Sequence, residues 1–400
     1  MSTSGNSHAC HLSPAPPGNG SDVGGAPQQR LRVAFVLNDS RMGGSERQAL
    51  LLAREYLQRG LQPCVLSLAG DGPVLAMARE MGMAAASITL RYPCCLWRFP
   101  LHLLRARRFF RHYRPNVMLG FTSVPNLYAG WLWKCAGARM FIWGQRNAGL
   151  DCPPRFLEWV ALRCASAFVA NSEAGVAYLR ARLGPRSRHQ VYLVPNAVAV
   201  MSQESASVGE AAGAIVRVVC VANARAVKDH ATLLAAWSVV QAQWPADTPR
   251  PQLDLAGAFP EDSTYACEVR DLVNDMPCRE TIRFCGAQVV NLDWLRGYDV
   301  GVLSSKTEGM SNAILEYMAA GLPVVATDLP GTRLALGEEA SCWLVPVGDS
   351  QRMATVLLRL LESAKLRTAC GERNRERARR EFTVGALADQ MMSLVCGSEA

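Results

Sequence analysis

Short apolar runs alternate with longer amphipathic stretches along most of the chain. The first run, LRVAFVLN (31–38), precedes Gly43 and Gly44, and the following SERQALLLAREYLQRG repeats apolar residues at helical spacing. Further apolar runs follow at helix-length intervals: PCVLSLA, NVMLGF, ARMFIWG, AFVANS and QVYLVPN. This alternation predicts buried strands of a parallel sheet, joined by right-handed helical crossovers.

The same pattern starts again after a small, polar segment, with the apolar runs VRVVCVAN, QLDLAG, IRFCG, YDVGVLSS, PVVAT and CWLVPV. The chain is therefore predicted to be an α/β protein with two Rossmann-like, doubly wound parallel-sheet domains facing across a cleft. Ligands are expected at the carboxyl ends of the strands. The predicted segments are a disordered leader (1–30), an N-terminal domain (31–198), a linker (199–214), a C-terminal domain (215–383) and a C-terminal helix that packs back on the N-terminal domain (384–400).

Composition favours a globular protein of the cytoplasm. With 400 residues and 50% hydrophobic composition, the chain is long enough for two cores. Its 14 cysteines include no C-x-x-C pair, which favours reduced thiols over disulfides or a zinc site. The first 30 residues are rich in Ser, Gly and Pro and lack the apolar stretch of a signal peptide, and no apolar run is long enough to span a bilayer.

The positive charge is concentrated in one segment. Residues 91–115 carry seven arginines and no acid, whereas the whole chain has a net charge of +8. Arginines interleaved with aromatic residues suit the cytoplasmic face of a membrane, where they meet anionic headgroups. The residues predicted to lie at that surface are Trp97, Phe99, Arg105, Arg107 and Arg108. A solvated helix packed on its own domain is the alternative, and nucleic acid is disfavoured because no recognition motif accompanies the cluster.

A second segment, EGMSNAILEYMAAGLPVVAT (308–327), contains the candidate chemistry. The pattern predicts a strand over Asp299–Leu303, a loop that ends at Gly309, and a helix capped by Ser311 that ends at Ala320. The backbone N–H groups of Met310, Ser311 and Asn312 would then be available to an anion at the helix N-terminus.

Two glutamates flank this predicted anion site. Glu308 precedes the helix and Glu316 lies within it, and carboxylates beside an anion are suited to accept hydrogen bonds from hydroxyl groups. A diphosphate with hydroxyl groups on both sides is a nucleotide sugar, so Glu308 is predicted to contact the sugar and Glu316 the ribose. The alternative is that both glutamates cap helices or face solvent.

These motifs resemble the family 4 retaining glycosyltransferases of the GT-B fold, whose E-x7-E region is similar to residues 308–327. The similarity covers residues 31–396. The other matching segments are GGSERQALLLAREYLQRG, VANSEAGVAYL, VYLVPNAV and ANARAVKDHATLLAAW. A Rossmann oxidoreductase is disfavoured, because G-x-G-x-x-G does not follow the first strand.

The resemblance implies a role for each matching residue. Gly43 and Gly44 match the glycine loop that approaches donor and acceptor, and Lys228 matches the lysine that neutralises the departing diphosphate. Glu308 matches the sugar-binding residue, and Glu316 the ribose-binding residue. The predicted substrate-binding residues are Gly43, Gly44, Asn223, Arg225, Lys228, Glu308, Gly309, Met310, Ser311, Asn312 and Glu316.

The family also implies a metal-independent transfer with no cofactor, in agreement with the absence of a D-x-D motif. The donor is expected to carry UDP, with GDP as the second choice, and the acceptor is a saccharide or a lipid-linked molecule. An inactive nucleotide-binding or membrane-surface scaffold protein is the alternative function.

The sequence departs from the family pattern at three places. Asn223 occupies the position of the usual phosphate-binding arginine, and Arg225 is predicted to substitute for it. Arg146 and Asn147, in GQRNAGL, stand where many members have a histidine, and we predict a catalytic role for them beside Lys228 and Glu308. Ala197 follows Asn196 where glycine is common.

Overall fold

The computed structural model describes residues 30–90, 99–146, 155–200, 215–288 and 290–396. The chain divides into two compact units. The first unit ends at Val194 and takes in the chain again from Leu387, and the second spans Pro195–Ala386. Among the predicted features, the leader up to residue 29, linker residues 201–214, Trp97 and Asn147 lie outside the described residues.

The first unit is a parallel sheet with helices in the connections. Its strands are β1 (Arg32–Leu37), β2 (Gln62–Ser67), β3 (Ala84–Ser87), β4 (Val117–Phe121), β5 (Met140–Gln145), β6 (Ala167–Ala170) and β7 (Val191–Leu193). Its helices are α1 (Gly44–Gln58), α2 (Pro73–Glu80), α3 (Phe99–Tyr113), α4 (Ser123–Leu132), α5 (Arg155–Cys164) and α6 (Glu173–Leu183).

The seven strands lie in the order β3-β2-β1-β4-β5-β6-β7, and all neighbours are parallel. Strands β1, β4 and β5 are almost wholly buried, as their continuous apolar sequences predict. The order reverses between β1 and β4, so the loops that follow these two strands emerge at the same edge of the sheet.

The second unit repeats this architecture with six strands. They are β8 (Arg217–Val221), β9 (Gln252–Ala256), β10 (Ile282–Gly286), β11 (Val300–Leu303), β12 (Val324–Thr327) and β13 (Leu344–Val345). The helices are α7 (His230–Gln243), α8 (Thr264–Asn274), α9 (Leu292–Leu295), α10 (Asn312–Ala320), α11 (Pro330–Leu336), α12 (Ser350–Leu361) and α13 (Ala364–Glu381). Helix α14 (Val384–Cys396) begins at the end of the second unit, and from Leu387 it belongs to the first. Short 3-10 turns cover Ala226–Lys228, Arg279–Thr281 and Glu338–Trp343.

The strand order in the second unit is β10-β9-β8-β11-β12-β13, again all parallel. The reversal falls between β8 and β11, the two strands whose following loops hold the residues predicted to bind the donor. The predicted architecture of two parallel-sheet α/β domains is confirmed.

Helix α10 lies in the core of the second unit and fixes the position of the loop before it. Its residues from Ala313 to Ala320 are all buried. Gly301 of β11 makes room for the Tyr317 ring, since a Cβ there would lie 2.4 Å from Tyr317 Cδ2. The Tyr317 hydroxyl accepts a hydrogen bond of 2.6 Å from the Val221 N–H at the end of β8. The helix is therefore held against both strands of the reversal.

Candidate active site

The loops after β8 and β11 are joined by a backbone hydrogen bond and by the hydroxyl of a buried serine. The hydroxyl of Ser304 donates to the carbonyl oxygens of Lys228 (3.0 Å) and Asp229 (2.9 Å). The Lys306 N–H donates to the Val227 carbonyl at 2.8 Å. These contacts fix the 3-10 turn that ends at Lys228 beside the start of the β11 loop.

Lys228 and Glu308, predicted from the family motif, form an ion pair at this junction. The Ser305 hydroxyl donates to Glu308 Oε1 at 2.8 Å, so the carboxylate is oriented by two donors. Both charged side chains are mostly buried, with exposed fractions of 20% and 16%. A partly desolvated charge pair interacts more strongly than one in bulk water, and each partner holds the other in place.

The residue after Lys228 is held in an unusual backbone conformation. Asp229 lies in the left-handed region, with φ of 50°, which costs a non-glycine residue free energy. Its buried carboxylate accepts a hydrogen bond of 2.7 Å from the Thr232 hydroxyl and lies 3.5 Å from Lys306 Nζ. These contacts stabilise the turn that places Lys228 ahead of α7.

His230 begins α7 in a buried aromatic setting. Its ring lies 5.2 Å from the Phe259 ring and 5.9 Å from the Tyr265 ring, measured between centroids. The Tyr265 hydroxyl accepts from the His230 N–H at 3.0 Å. Burial lowers the pKa of His230 to about 4, with the nearby Lys228 charge acting in the same direction, so the imidazole is neutral at pH 7.

The start of α10 is secured by a residue outside the predicted site. Ser311 occupies the predicted N-cap position, but its side chain makes no capping hydrogen bond. Instead, Asn196 Nδ2 donates to the Met310 carbonyl (2.9 Å) and to Asn312 Oδ1 (2.8 Å). The Asn196 N–H contacts Met310 Sδ at 3.3 Å. The sequence did not predict this role for Asn196, because its partners lie more than 110 positions away along the chain.

The helix start also packs directly on a neighbouring helix. A Cβ at Gly331, in the first turn of α11, would lie 1.6 Å from the Gly309 carbonyl oxygen, so only glycine allows this approach. The first turn of α10 has N–H groups with no partner inside the helix, and it carries partial positive charge. Glu316 follows within the same helix and is buried, with 8% of its surface exposed.

Asn223 and Arg225 differ in how they are placed. Asn223 Oδ1 accepts a hydrogen bond of 2.9 Å from the Ala258 N–H, and so connects the loops after β8 and β9. Arg225 precedes the 3-10 turn and is exposed. The charge of Arg225 therefore lies three residues before Lys228 in the same loop. The Asn223 side chain instead holds two loops together.

The remaining predicted residues belong to the first unit. Gly43 and Gly44 begin α1 at the carboxyl end of β1, and Gly43 is its N-cap. Arg146 follows β5, where its guanidinium lies 4.7 Å from the Phe121 ring and burial lowers its pKa to about 10. An arginine with this pKa is still charged at pH 7.

Sequence reasoning missed a buried acid next to the glycine loop. Glu46 is 6% exposed and accepts a hydrogen bond of 2.9 Å from the Ser45 hydroxyl. Burial raises its pKa, against the opposing effect of hydrogen bonds from its own N–H and from Ser45. A Cβ at Gly43 would lie 2.5 Å from Glu46 Oε2. The sequence signal for this residue was an acid in the first turn of a predicted helix. Acids are also common at that position on exposed helices, so the signal does not indicate burial.

The basic segment forms α3, and the structure corrects one predicted surface residue. Phe99 is buried and packs on Tyr128 and Trp131, with ring centroids 5.9 Å and 5.6 Å apart. Phe99 was therefore wrongly predicted to lie at a membrane surface, since its apolar contacts are within the domain. The exposed positions of α3 include Arg105, Arg107 and Arg108.

The described part of the chain contains neither a cluster of metal ligands nor a membrane-spanning helix. Within it, no three His, Cys, Asp or Glu side chains are grouped so that they could hold a metal ion. No helix of the described residues is both long and apolar enough to cross a membrane.

Sequence profiles of known families match both units. Residues 42–200 match Glycosyltransferase Family 4, and residues 216–363 match Glycosyl transferases group 1. The chain belongs to the family 4, group 1 glycosyltransferases, as its motifs predicted.

Curated relatives match over shorter regions. The chain is 31% identical over 124 residues to the lipopolysaccharide core biosynthesis glycosyltransferase LpsE of Rhizobium meliloti, a match that covers 31% of this chain and 36% of LpsE. It is 26% identical over 140 residues to LpsD of the same organism, covering 35% of this chain and 40% of LpsD. The matches thus span well under half the length of these relatives.

A solved structure is similar over nearly the whole chain. Anabaena HepE, crystallised in complex with UDP and glucose, aligns with a TM-score of 0.76 and 17% sequence identity. The alignment covers 92% of this chain and 100% of HepE. This similarity confirms the predicted GT-B fold.

The buried histidine at the start of α7 predicts a pH-dependent stability. The pKa of His230 is about 4 in the folded chain and near 6.5 when unfolded. The unfolded state therefore binds more protons between these values, and the free energy of unfolding falls as the pH drops from 6.5 towards 4, by up to about 1.4 kcal/mol per pH unit. Urea unfolding of His230→Gln should show a flatter dependence in this window.

The exposed His112 of α3 provides the control. His112→Gln should follow the pH dependence of the wild type. A His230→Gln profile parallel to the wild type would show that this histidine does not contribute to acid destabilisation.

Proposed function

We propose that the protein is a retaining glycosyltransferase that moves a sugar from a nucleoside diphosphate sugar to a saccharide or lipid-linked acceptor. The observation that carries the proposal is the Lys228–Glu308 ion pair, held next to the N-terminus of α10 where the strand order reverses. In parallel α/β sheets this is the place where ligands bind. The family membership of both units supports the same reaction.

The donor diphosphate would bind at the first turn of α10 and at Lys228. Helix N–H groups and a lysine complement the charge that develops on a departing diphosphate, and they stabilise the transition state more than the ground state. Glu308 neutralises Lys228 in the ion pair. A bound diphosphate would take over that role and release the Glu308 carboxylate to accept hydrogen bonds from the transferred sugar.

Glu316 would bind the ribose. It is the fifth residue of α10, so its backbone lies about 6 Å along the helix axis from that of the first residue, Asn312. A carboxylate at that distance can accept hydrogen bonds from the ribose hydroxyls while the diphosphate remains at the helix start.

Two features of the reaction rest on the family. Retention of the anomeric configuration is typical of it and should be visible in the product's anomeric NMR signals. Transfer without a metal ion is proposed because Lys228 and the helix N-terminus supply positive charge at the leaving group.

The names of similar proteins guide the choice of substrates. LpsE and LpsD act in lipopolysaccharide core biosynthesis by name, and HepE was crystallised with UDP and glucose. We therefore propose a UDP-sugar as the donor, with GDP as the second choice for the nucleotide, and a saccharide of a lipid-linked polysaccharide or glycolipid as the acceptor.

Removing the lysine charge should impair transfer. Lys228→Ala is expected to lower turnover by about 100-fold or more, because a fixed charge at the leaving group is lost. The assay measures UDP release from UDP-sugars, with lipid-linked saccharides extracted from the source cells as acceptors. Lys365→Ala, at an exposed position of α13, removes the same charge and should leave turnover unchanged. Equal rates for Lys228→Ala and wild type would contradict the proposed chemistry.

A thermal-shift panel tests the donor. UDP, GDP, ADP and their sugar conjugates are compared on wild type and Glu316→Ala. A ligand at 100 times its Kd adds about 2.7 kcal/mol of stability, so the true nucleotide should raise the Tm by several degrees. Glu316→Ala should lose most of that shift.

The thermal-shift panel and the transfer assay together distinguish an active transferase from the alternative, an inactive nucleotide-binding or scaffold protein. A nucleotide that shifts the Tm without any transfer to the acceptor mixture would favour a nucleotide-binding but inactive protein. If no nucleotide shifts the Tm, the donor site itself is contradicted, and a scaffold role would take precedence.

We further propose that the protein is a peripheral protein of the cytoplasmic membrane face and docks through α3. This helix exposes four arginines, Arg105, Arg107, Arg108 and Arg111, and two leucines, Leu101 (58% exposed) and Leu104 (56% exposed). Its opposite face is buried through Ala106, Phe109 and Phe110. Exposed arginines with leucines between them suit an anionic lipid surface.

Charge removal from α3 should weaken membrane binding. Each arginine near an anionic surface contributes about 1 kcal/mol, so the triple change of Arg105, Arg107 and Arg108 to Gln should lower affinity for phosphatidylserine vesicles by about 100-fold in sedimentation assays. The control changes three exposed arginines of the second unit, Arg250, Arg279 and Arg352, to Gln. Equal losses in both triple variants would show that only total charge matters, which contradicts docking through α3.

A further inference from the structure

A cavity of about 340 Å³ lies in the second unit, near the edge strand β10. It is lined by Arg217, Arg283, Cys285, Gln288, Trp294 and Tyr298. Its volume falls within the range of roughly 300–1,000 Å³ that is usual for small-molecule sites. None of these residues belongs to the candidate active site.

A buried carboxylate organises the charged side of this cavity. Asp254 in β9 is 2% exposed and accepts hydrogen bonds from Arg217 Nη2 (2.8 Å) and from the Tyr298 hydroxyl (2.8 Å). Arg283 binds the same carboxylate through Nε (3.0 Å) and Nη2. Burial alone would raise the pKa of Asp254, but the hydrogen bonds from Arg283, Tyr298 and Arg217 outweigh it and lower the pKa. The carboxylate is therefore ionised and fixes both arginines.

A second carboxylate, Asp299, accepts a hydrogen bond of 2.7 Å from the Arg217 N–H, so the two arginines and the two acids are formally neutral together, and the cationic character of the cavity comes from the exposed donors of Arg283. Two of the five N–H donors of Arg283 go to Asp254, and its side chain remains 60% exposed. A second arginine, Arg217, is 37% exposed and also donates to the Gly297 carbonyl at 3.2 Å. The cavity thus presents oriented cationic donors, which are suited to a carboxylate or a phosphate.

The cavity lining is also aromatic. The rings of Trp294 and Tyr298 lie 4.8 Å apart, and the Arg217 guanidinium lies 4.6 Å from the Tyr298 ring. Trp294 lies in the four-residue helix α9 and is partly exposed. A partly exposed indole can offer an apolar face to the C–H groups of a sugar ring.

The cavity is separate from the proposed donor site. Arg217 is the first residue of β8, whereas Lys228 lies in the loop after its last residue. The four residue steps from Arg217 to Val221 span roughly 13 Å, and Lys228 lies seven residues beyond Val221. A ligand bound to Arg217 and Arg283 therefore does not occupy the Lys228–Glu308 site.

We propose that this cavity binds a saccharide ring that carries one anionic group, a carboxylate or a phosphate. The anionic group contacts Arg283 and Arg217, and the ring stacks on Trp294. The inference that the ligand is an acidic sugar of the growing saccharide rests on the proposed function, whereas binding by the cavity does not. A free sugar phosphate has the same chemistry, and the test distinguishes the two sources.

Isothermal titration of the full chain, saturated with UDP, tests the proposal. The probes are methyl β-D-glucuronoside for an acidic saccharide, glucose 1-phosphate for a sugar phosphate, methyl β-D-glucoside for a neutral sugar, and inorganic phosphate. At least one anionic sugar should bind at least about 10-fold more tightly than the neutral sugar and inorganic phosphate, because only it can use both the arginines and the indole. The stronger anionic probe identifies the source.

Two variants and a control locate the binding. Arg283→Gln should weaken binding of the anionic sugar by about 10-fold, and Trp294→Ala by several-fold. Arg250→Gln removes an equally exposed arginine of the same unit and should bind like wild type. Circular dichroism of each variant checks that the fold is retained, and Arg283 is sufficiently exposed for its replacement to be tolerated.

Lys228→Ala separates this proposal from the proposed function. That variant should keep wild-type binding of the anionic sugar, whether or not it loses transfer. Loss of binding in Lys228→Ala would place the ligand in the donor site and overturn the proposal. Binding that is equally tight for inorganic phosphate or methyl β-D-glucoside, or unchanged in Arg283→Gln and Trp294→Ala, would also overturn it.

Discussion

Parallel pairing between β8 and β11 is the constraint on which the candidate active site depends. These strands are adjacent in the sheet although three helices and two strands separate them along the chain. Because they run in the same direction, the loops that follow them emerge at one edge, and Lys228 meets Glu308 there. Helix α10 is secured against both strands, through Gly301 and the Tyr317 hydroxyl.

Buried charges in the second unit are paired in two different ways. Lys228 and Glu308 form a one-to-one pair. A ligand that binds one of the two side chains must therefore leave the other with a new partner for its charge. Asp254, in contrast, is shared by two arginines, and Arg283 keeps exposed N–H donors beyond the two that it gives to the acid. The first arrangement suits an exchange of partners during a reaction. The second suits retention of an anion, because the arginines stay fixed when it binds or leaves.

The fold was predictable because its signals are local. Continuous apolar runs such as those of β4 and β5 identify strands buried on both faces, and the intervening spacing identifies helices. Ser311 at the N-cap and Gly321 after Ala320 were placed correctly for the same reason. The burial of Phe99 was not predictable in this way, since its partners in α4 lie about 30 residues further along the chain.

The sequence by itself determined the two α/β units, the family and the short list of charged residues, because repeating patterns and motif spacing are properties of neighbouring residues. Only the tertiary structure decided that Asn196 holds the start of α10, that Asn223 connects two loops, and that Arg217 and Arg283 share Asp254. Hydrogen bonds of this kind join residues that the parallel sheet brings together from distant parts of the chain. Their partners are set by strand order and register, which no local pattern encodes.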